Sequence, residues 1–106
     1  MRQAFVWVSD TLAGFLYELE RGKAYQFTYT PEYTGSPVSL TMPISEKPYN
    51  FAQFPPFFEG LLPEGIQLEA LLRSRKIDRD DLFSQLATVG ADMVGAVTIT
   101  AEEPKL

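Results

Sequence analysis

The chain has 106 residues, 45% hydrophobic and 13% aromatic, with a formal net charge of −5 and neither cysteine nor histidine. That size fits one domain able to bury roughly two-thirds of its unfolded surface, and so much apolar content argues against intrinsic disorder. The missing cysteine removes disulfides and thiol chemistry, the missing histidine removes the usual neutral-pH base, and no apolar run approaches the ~20 residues of a membrane-spanning helix.

Residues 4–8, Ala-Phe-Val-Trp-Val, are β-branched and aromatic and predict a strand, closed by turn chemistry at Ser9-Asp10. Residues 12–19 predict a second strand, with Gly14 marking a bulge or a close approach. Gly22 supplies positive φ for the next connection. Residues 24–30 alternate, which puts Tyr25, Phe27 and Tyr29 on one face of a third strand. Val38 to Met42, bracketed by Pro37 and Pro43, predicts a short edge strand, and residues 43–50 an irregular stretch.

The period then changes. Phe51, Phe54, Phe57, Phe58, Leu61 and Leu62 recur at helical spacing, with Pro55-Pro56 in the first turn and Pro63 as the stop. Ile66 to Arg75 predicts a second helix with Leu68, Leu71 and Leu72 on one face and Arg73, Arg75 and Lys76 matched to its C-terminal dipole. Asp78 is expected to cap a third helix running to Val89, with Gly90 as its C′ residue. Val94 to Thr100 completes the pattern as a strand that must rejoin the sheet. The expected fold class is α+β: a mainly antiparallel sheet of 4–5 strands with three helices packed on one side. The expected organisation is one domain over residues 1–101 and a tail over 102–106.

Few residues point to catalysis. Asp78-x-Asp80 resembles the opening of a calcium loop, but the glycine and distal glutamate are missing, and helix capping explains Asp78, Asp80 and Asp81 better. Asp92, between glycines, reads as a turn former. No serine has a histidine to activate it or a nucleophile elbow around it. Glu18 and Glu20 read as solvated edge residues. Gly90 and Gly95 do not form a phosphate-cradling loop. The expectation is no catalytic, cofactor or metal residue. The basic cluster Arg73, Arg75, Lys76 and Arg79 is interrupted by Asp78 and followed by Asp80 and Asp81, so direct nucleic-acid binding is not expected.

Two features point instead to protein binding. Trp7, Tyr17, Tyr25, Tyr29, Tyr33 and Tyr49 are amphipathic aromatics, suited either to a sheet core or to an interface. Pro63, Glu64, Gly65 and Ile66 form a corner between two helices, a surface position by default. Ile66 either points outward or folds back onto Leu62 as a staple. The net negative charge suggests a basic patch on the partner. The first residues, Met-Arg-Gln-Ala-Phe, do not read as a signal peptide, so a cytoplasmic setting is expected.

Five segments in order carry a family resemblance: the opening strand with Trp7; Phe27-x-Tyr29-x-Pro31-Glu32; Pro37 to Pro43; Phe57-Phe58-Glu59-Gly60-Leu61-Leu62-Pro63-Glu64; and Val89 to Val97. Together they resemble the N-terminal subdomain of the HipA family of toxin kinases, over nearly the whole chain. In that family the domain packs on the N-lobe of a bacterial Ser/Thr kinase toxin that inactivates an aminoacyl-tRNA synthetase, and a helix-turn-helix protein is the antitoxin. No kinase element is present here, so the family's ATP and magnesium sites have no residues to carry them. That departure matches the tripartite HipBST-type variant, in which a small stand-alone member neutralises a shortened HipT kinase beside a DNA-binding HipB. The resemblance implies an antitoxin with a HipT-like Ser/Thr kinase and a HipB-like helix-turn-helix protein as partners, and no membrane contact. A second reading is a non-inhibitory subunit that links the kinase to the repressor.

Overall fold

The structure, a computed structural model, describes residues 1–90 and 95–101. Strands β1 (Arg2–Val8), β2 (Thr11–Glu20), β3 (Ala24–Tyr29) and β4 (Tyr49–Phe51) are followed by helices α1 (Pro56–Glu59), α2 (Gly65–Arg75) and α3 (Leu82–Val89), and then by β5 (Val97–Thr100). All neighbours pair antiparallel in the order β4-β3-β2-β1-β5. The expected α+β class and the return of the last strand to the sheet are both present. The expected start of that strand at Val94, Asp92 as a turn former, and the tail 102–106 lie outside the described residues.

Local chemistry explains the meander. Ser9 and Asp10 both take positive φ (47° and 68°), as a two-residue hairpin of primed type requires. Register slips by one residue between Val6 and Trp7, opposite Gly14. A Cβ at Gly14 would sit 2.2 Å from the Thr28 carbonyl oxygen, so only glycine lets β3 approach there. Tyr25, Phe27 and Tyr29 share the inner face as expected and are all buried. They join Ala4, Val6, Leu16 and Ile99 beneath Phe54, Phe58, Phe83 and Leu86. The Phe27 ring lies 5.8 Å from Phe58, and Tyr25 lies edge-on to Phe54 at 5.3 Å.

Five expectations need correction, the last of them the solvated-edge position of Glu18. Val38 to Met42 is not a strand: Ser39 and Met42 form an isolated bridge around a tight turn. The turn is tied down by the Tyr29 hydroxyl, which accepts from the Val38 N–H and donates to the Met42 carbonyl. The short strand falls later, at Tyr49–Phe51. The aromatic stripe from Phe51 to Leu62 packs on the core, yet only Pro56–Glu59 is α-helical. A proline disfavours helical backbone in the residue before it, so Phe54 and Pro55 stay out of the helix. Asp81, not Asp78, caps α3, its carboxylate accepting from the Ser84 N–H. Gly90 has an ordinary φ of −60° and is not an αL terminator. It is glycine because a Cβ would lie 2.4 Å from Ile99 Cβ, where α3 crosses β5.

The Asp81 cap belongs to a cross-fold clamp, and this corrects the reading of Glu18 as a solvated edge residue: it is 4% exposed. Arg2 donates from Nε to Glu18 Oε1 at 2.7 Å, from Nη2 to Asp81 Oδ1 at 2.8 Å and from Nη1 to Ser84 Oγ at 2.8 Å. Its guanidinium also lies 4.8 Å from the centre of the Phe83 ring. The Tyr25 hydroxyl donates to the second Glu18 oxygen at 3.0 Å. Burial alone would push the Asp81 carboxyl up. Hydrogen bonds from Arg2 and from the Ser84 hydroxyl and N–H outweigh it and bring the pKa from 3.8 to about 2. Glu18 is likewise lowered, burial being overcome by the bonds from Arg2 and Tyr25.

Gly14→Ala should destabilise the domain by about 2 kcal/mol or more, read as a drop in Tm on the order of 10 °C, because a backbone carbonyl cannot move aside as a side chain can. The Asp81 contribution is complete above about pH 4 and is lost as pH falls toward about 2, because the folded carboxyl titrates below its unfolded counterpart. Asp81→Asn keeps a capping oxygen but loses the charge. It should cost about 2 kcal/mol at neutral pH and flatten the acid limb of a denaturation series. An unchanged acid limb would show that the clamp does not couple to folding.

Candidate partner-binding surface

Helix α2 is the outlier of the fold. Eleven residues long, it contains no buried residue. Its expected inner face, Leu68, Leu71 and Leu72, is only half-buried. Leu71 joins Leu61, Leu62, Pro63, Gln67, Arg75, Thr88 and Val89 around a shallow groove. The corner that leads into α2 is shaped by backbone geometry. Glu64, at the N-cap, is extended (φ −129°, ψ 165°) and makes no side-chain capping bond, and Gly65 turns the chain with φ +59° into open space.

Pro63 is half-buried, while Glu64, Gly65 and Ile66 are exposed. Ile66 is 88% exposed, which decides between the two orientations open in the sequence: it points outward and does not staple back onto Leu62. At 100° per residue, Ile66, Ala70 and Arg73 (i, i+4, i+7) form one outward stripe, and all three are exposed. Sequence reading saw only the opposite, leucine face of this helix. The stripe was legible as helical spacing, but its apolar, small and cationic members do not look like a set until the helix is known to stand clear of the core.

Elsewhere, Tyr25, Tyr29 and Tyr33 are core residues. Trp7 and Tyr17, with Phe5 and Phe15, occupy the outer sheet face: Phe15 meets Phe5 edge-on at 5.3 Å, and Trp7 Nε1 donates to Thr100 Oγ1 at 3.0 Å. Leu40, at the tip of the turn held by Tyr29, is 96% exposed.

A second hollow is acidic, lined by Glu18, Arg21, Gly22, Tyr25, Asp78, Asp80 and Asp81. Its two inner carboxylates are engaged by Arg2, Tyr25, Ser84 and Arg21. Both are held below the usual range, the opposite of what a neutral-pH proton donor needs. Among the described residues no group of three or more acids is arranged to hold a metal ion. The hollow is the rim of the clamp. Among the described residues no helix is long and apolar enough to cross a membrane.

Comparison with known proteins agrees with this architecture. The family model described as the HipA N-terminal domain matches residues 4–100. An uncharacterized protein of Haemophilus influenzae is 35% identical over 103 residues, covering 97% of this chain and 95% of that protein. The putative kinase Y4mE of Sinorhizobium fredii is 28% identical over 82 residues, which is 77% of this chain but only 20% of the kinase. Among solved structures, the N-terminal domain of HipA toxin matches with a TM-score of 0.74 at 31% identity, covering 99% of this chain and 96% of that one.

Because Ile66 touches solvent and not the core, Ile66→Asp should leave thermal stability within about 0.5 kcal/mol of the parent. The acid even suits a first helical turn. A large drop in Tm would place the Ile66 side chain in the fold and not on a binding surface.

Proposed function

The chain belongs to the HipA N-terminal domain family, and we propose that it acts as a HipS-like antitoxin, neutralising a HipT-type Ser/Thr kinase by contact with the kinase N-lobe. The observation that carries this reading is the Pro63–Ile66 corner: an apolar side chain 88% exposed at the head of a helix that buries no residue. Similarity to the N-terminal domain of HipA toxin supports the class of partner. The domain spans residues 1–101 and works as a binding unit without chemistry of its own. It operates in the cytoplasm, with a HipB-like repressor as the third component and no direct contact with nucleic acid or membrane.

Inhibition needs only a difference in affinity. A domain that holds the kinase in its inactive arrangement must bind that state better than the active one, by roughly 1.4 kcal/mol for each tenfold shift in population. In this reading Ile66 and the Pro63–Gly65 turn occupy the region near the ATP-covering loop and keep that loop from its catalytic position.

A second reading draws on the outer sheet face, where Trp7, Phe15 and Tyr17 stay half-buried and outside the core cluster. Such a face suits a subunit that joins the kinase to a DNA-binding repressor without inhibiting it. Co-expression separates the two. With kinase and this chain alone, an antitoxin restores growth, and Ile66→Asp abolishes the rescue while the variant remains folded. Rescue that requires the repressor supports the linking role, and unchanged rescue by Ile66→Asp removes the corner from the contact.

A further inference from the structure

We propose that the outward stripe of α2, Ile66-Ala70-Arg73 together with Lys76 at its end, docks on a partner surface that presents an apolar pocket beside a cluster of carboxylates; Arg75 faces the groove on the other side of the helix. The inference rests on the antitoxin reading and names the chemistry of the kinase surface it requires. It also reverses the expectation, drawn from net charge, of a basic patch on the partner.

Three observations converge on it. First, α2 contributes no buried residue and turns its half-buried leucines to the inner side, so its outward face is free to serve another surface. Second, charge at this end of the molecule runs against the whole. The chain carries −5, yet Arg73, Arg75 and Lys76 are exposed and form no ion pair among the described residues. The nearby Glu69 is taken by Arg79. Third, the apolar and cationic groups are ordered along one line. Ile66 stands at the N-terminal end, Ala70 leaves the middle flat, and Arg73 follows one turn later.

The ordinary account of Arg73, Arg75 and Lys76 is that cations complement a helix C-terminus. It explains the charges but not the apolar head of the same stripe, which a solvated helix would not need. A phosphate backbone is the other anionic partner to weigh. Three cations beside the exposed Asp78 and Asp80 make a small, interrupted phosphate site, and Ile66 has no role on a duplex. An acidic protein surface uses both halves of the stripe. Paired patches of opposite charge chiefly raise the association rate and fix register, and salt screens them.

The test measures association of the full-length chain with the purified cognate HipT-type kinase over a salt series. The variants are Arg73→Glu/Lys76→Glu, Ile66→Asp, and Glu46→Lys as a control on an exposed residue of the Pro43–Pro48 loop. The double reversal should slow association roughly tenfold at low salt, and the difference should shrink to about threefold or less at high salt. Glu46→Lys should match the parent. If the double reversal associates like the parent at every salt while Ile66→Asp abolishes binding, the cationic half is overturned and the antitoxin reading stands. If the parent does not bind the kinase, both fall. Retention of duplex DNA that depends on Arg73 and Lys76 would overturn the protein-surface assignment.

Discussion

The Arg2 guanidinium is the contact through which the rest of the fold is placed. One planar cation reaches the sheet through Glu18, the cap of α3 through Asp81 and Ser84, and the face of Phe83. A guanidinium suits this position because its fork of donors satisfies two carboxylates and a hydroxyl at once. Lysine would offer a point charge and lose the fixed geometry. The clamp is expensive to desolvate and repays that cost only when complete. Among the described residues no buried side-chain nitrogen or oxygen lacks a partner.

Helix α2 depends on this anchoring. Its preceding connection is held by Phe58 in the core, and its following connection leads directly to Asp81 in the clamp. A helix of eleven residues is marginal on its own, and this one gains little from burial. The fold therefore supplies position, and the helix supplies an open surface. That division suits a binding element, since the presented side chains can vary without disturbing the core.

Electrostatics separates the two charged regions by role. The carboxylates around Arg2 are satisfied, depressed in pKa and turned inward, so they serve folding. The cations at the end of α2 are exposed and unpaired among the described residues, so they remain available to a partner. An acidic net charge on the whole chain hides this asymmetry.

The sequence by itself determined the α+β order, the aromatic inner face of β3, the position of Gly14 and the family. Two-residue alternation, turn chemistry and ordered motifs are local properties that composition and spacing express directly. It also located the Pro63–Ile66 corner, because proline and glycine act on their own backbone. Only the tertiary structure decided which way Ile66 points, since a staple and an exposed anchor have the same sequence. Only it revealed Glu18 as a buried partner of Arg2 and moved the cap of α3 from Asp78 to Asp81. Those outcomes depend on residues 16 and 79 positions apart in the chain. Gly90 makes the same point. Its spacing suggested a helix terminator, whereas the constraint is a β5 side chain pressed against it, a contact that exists only once the last strand has crossed back to the sheet.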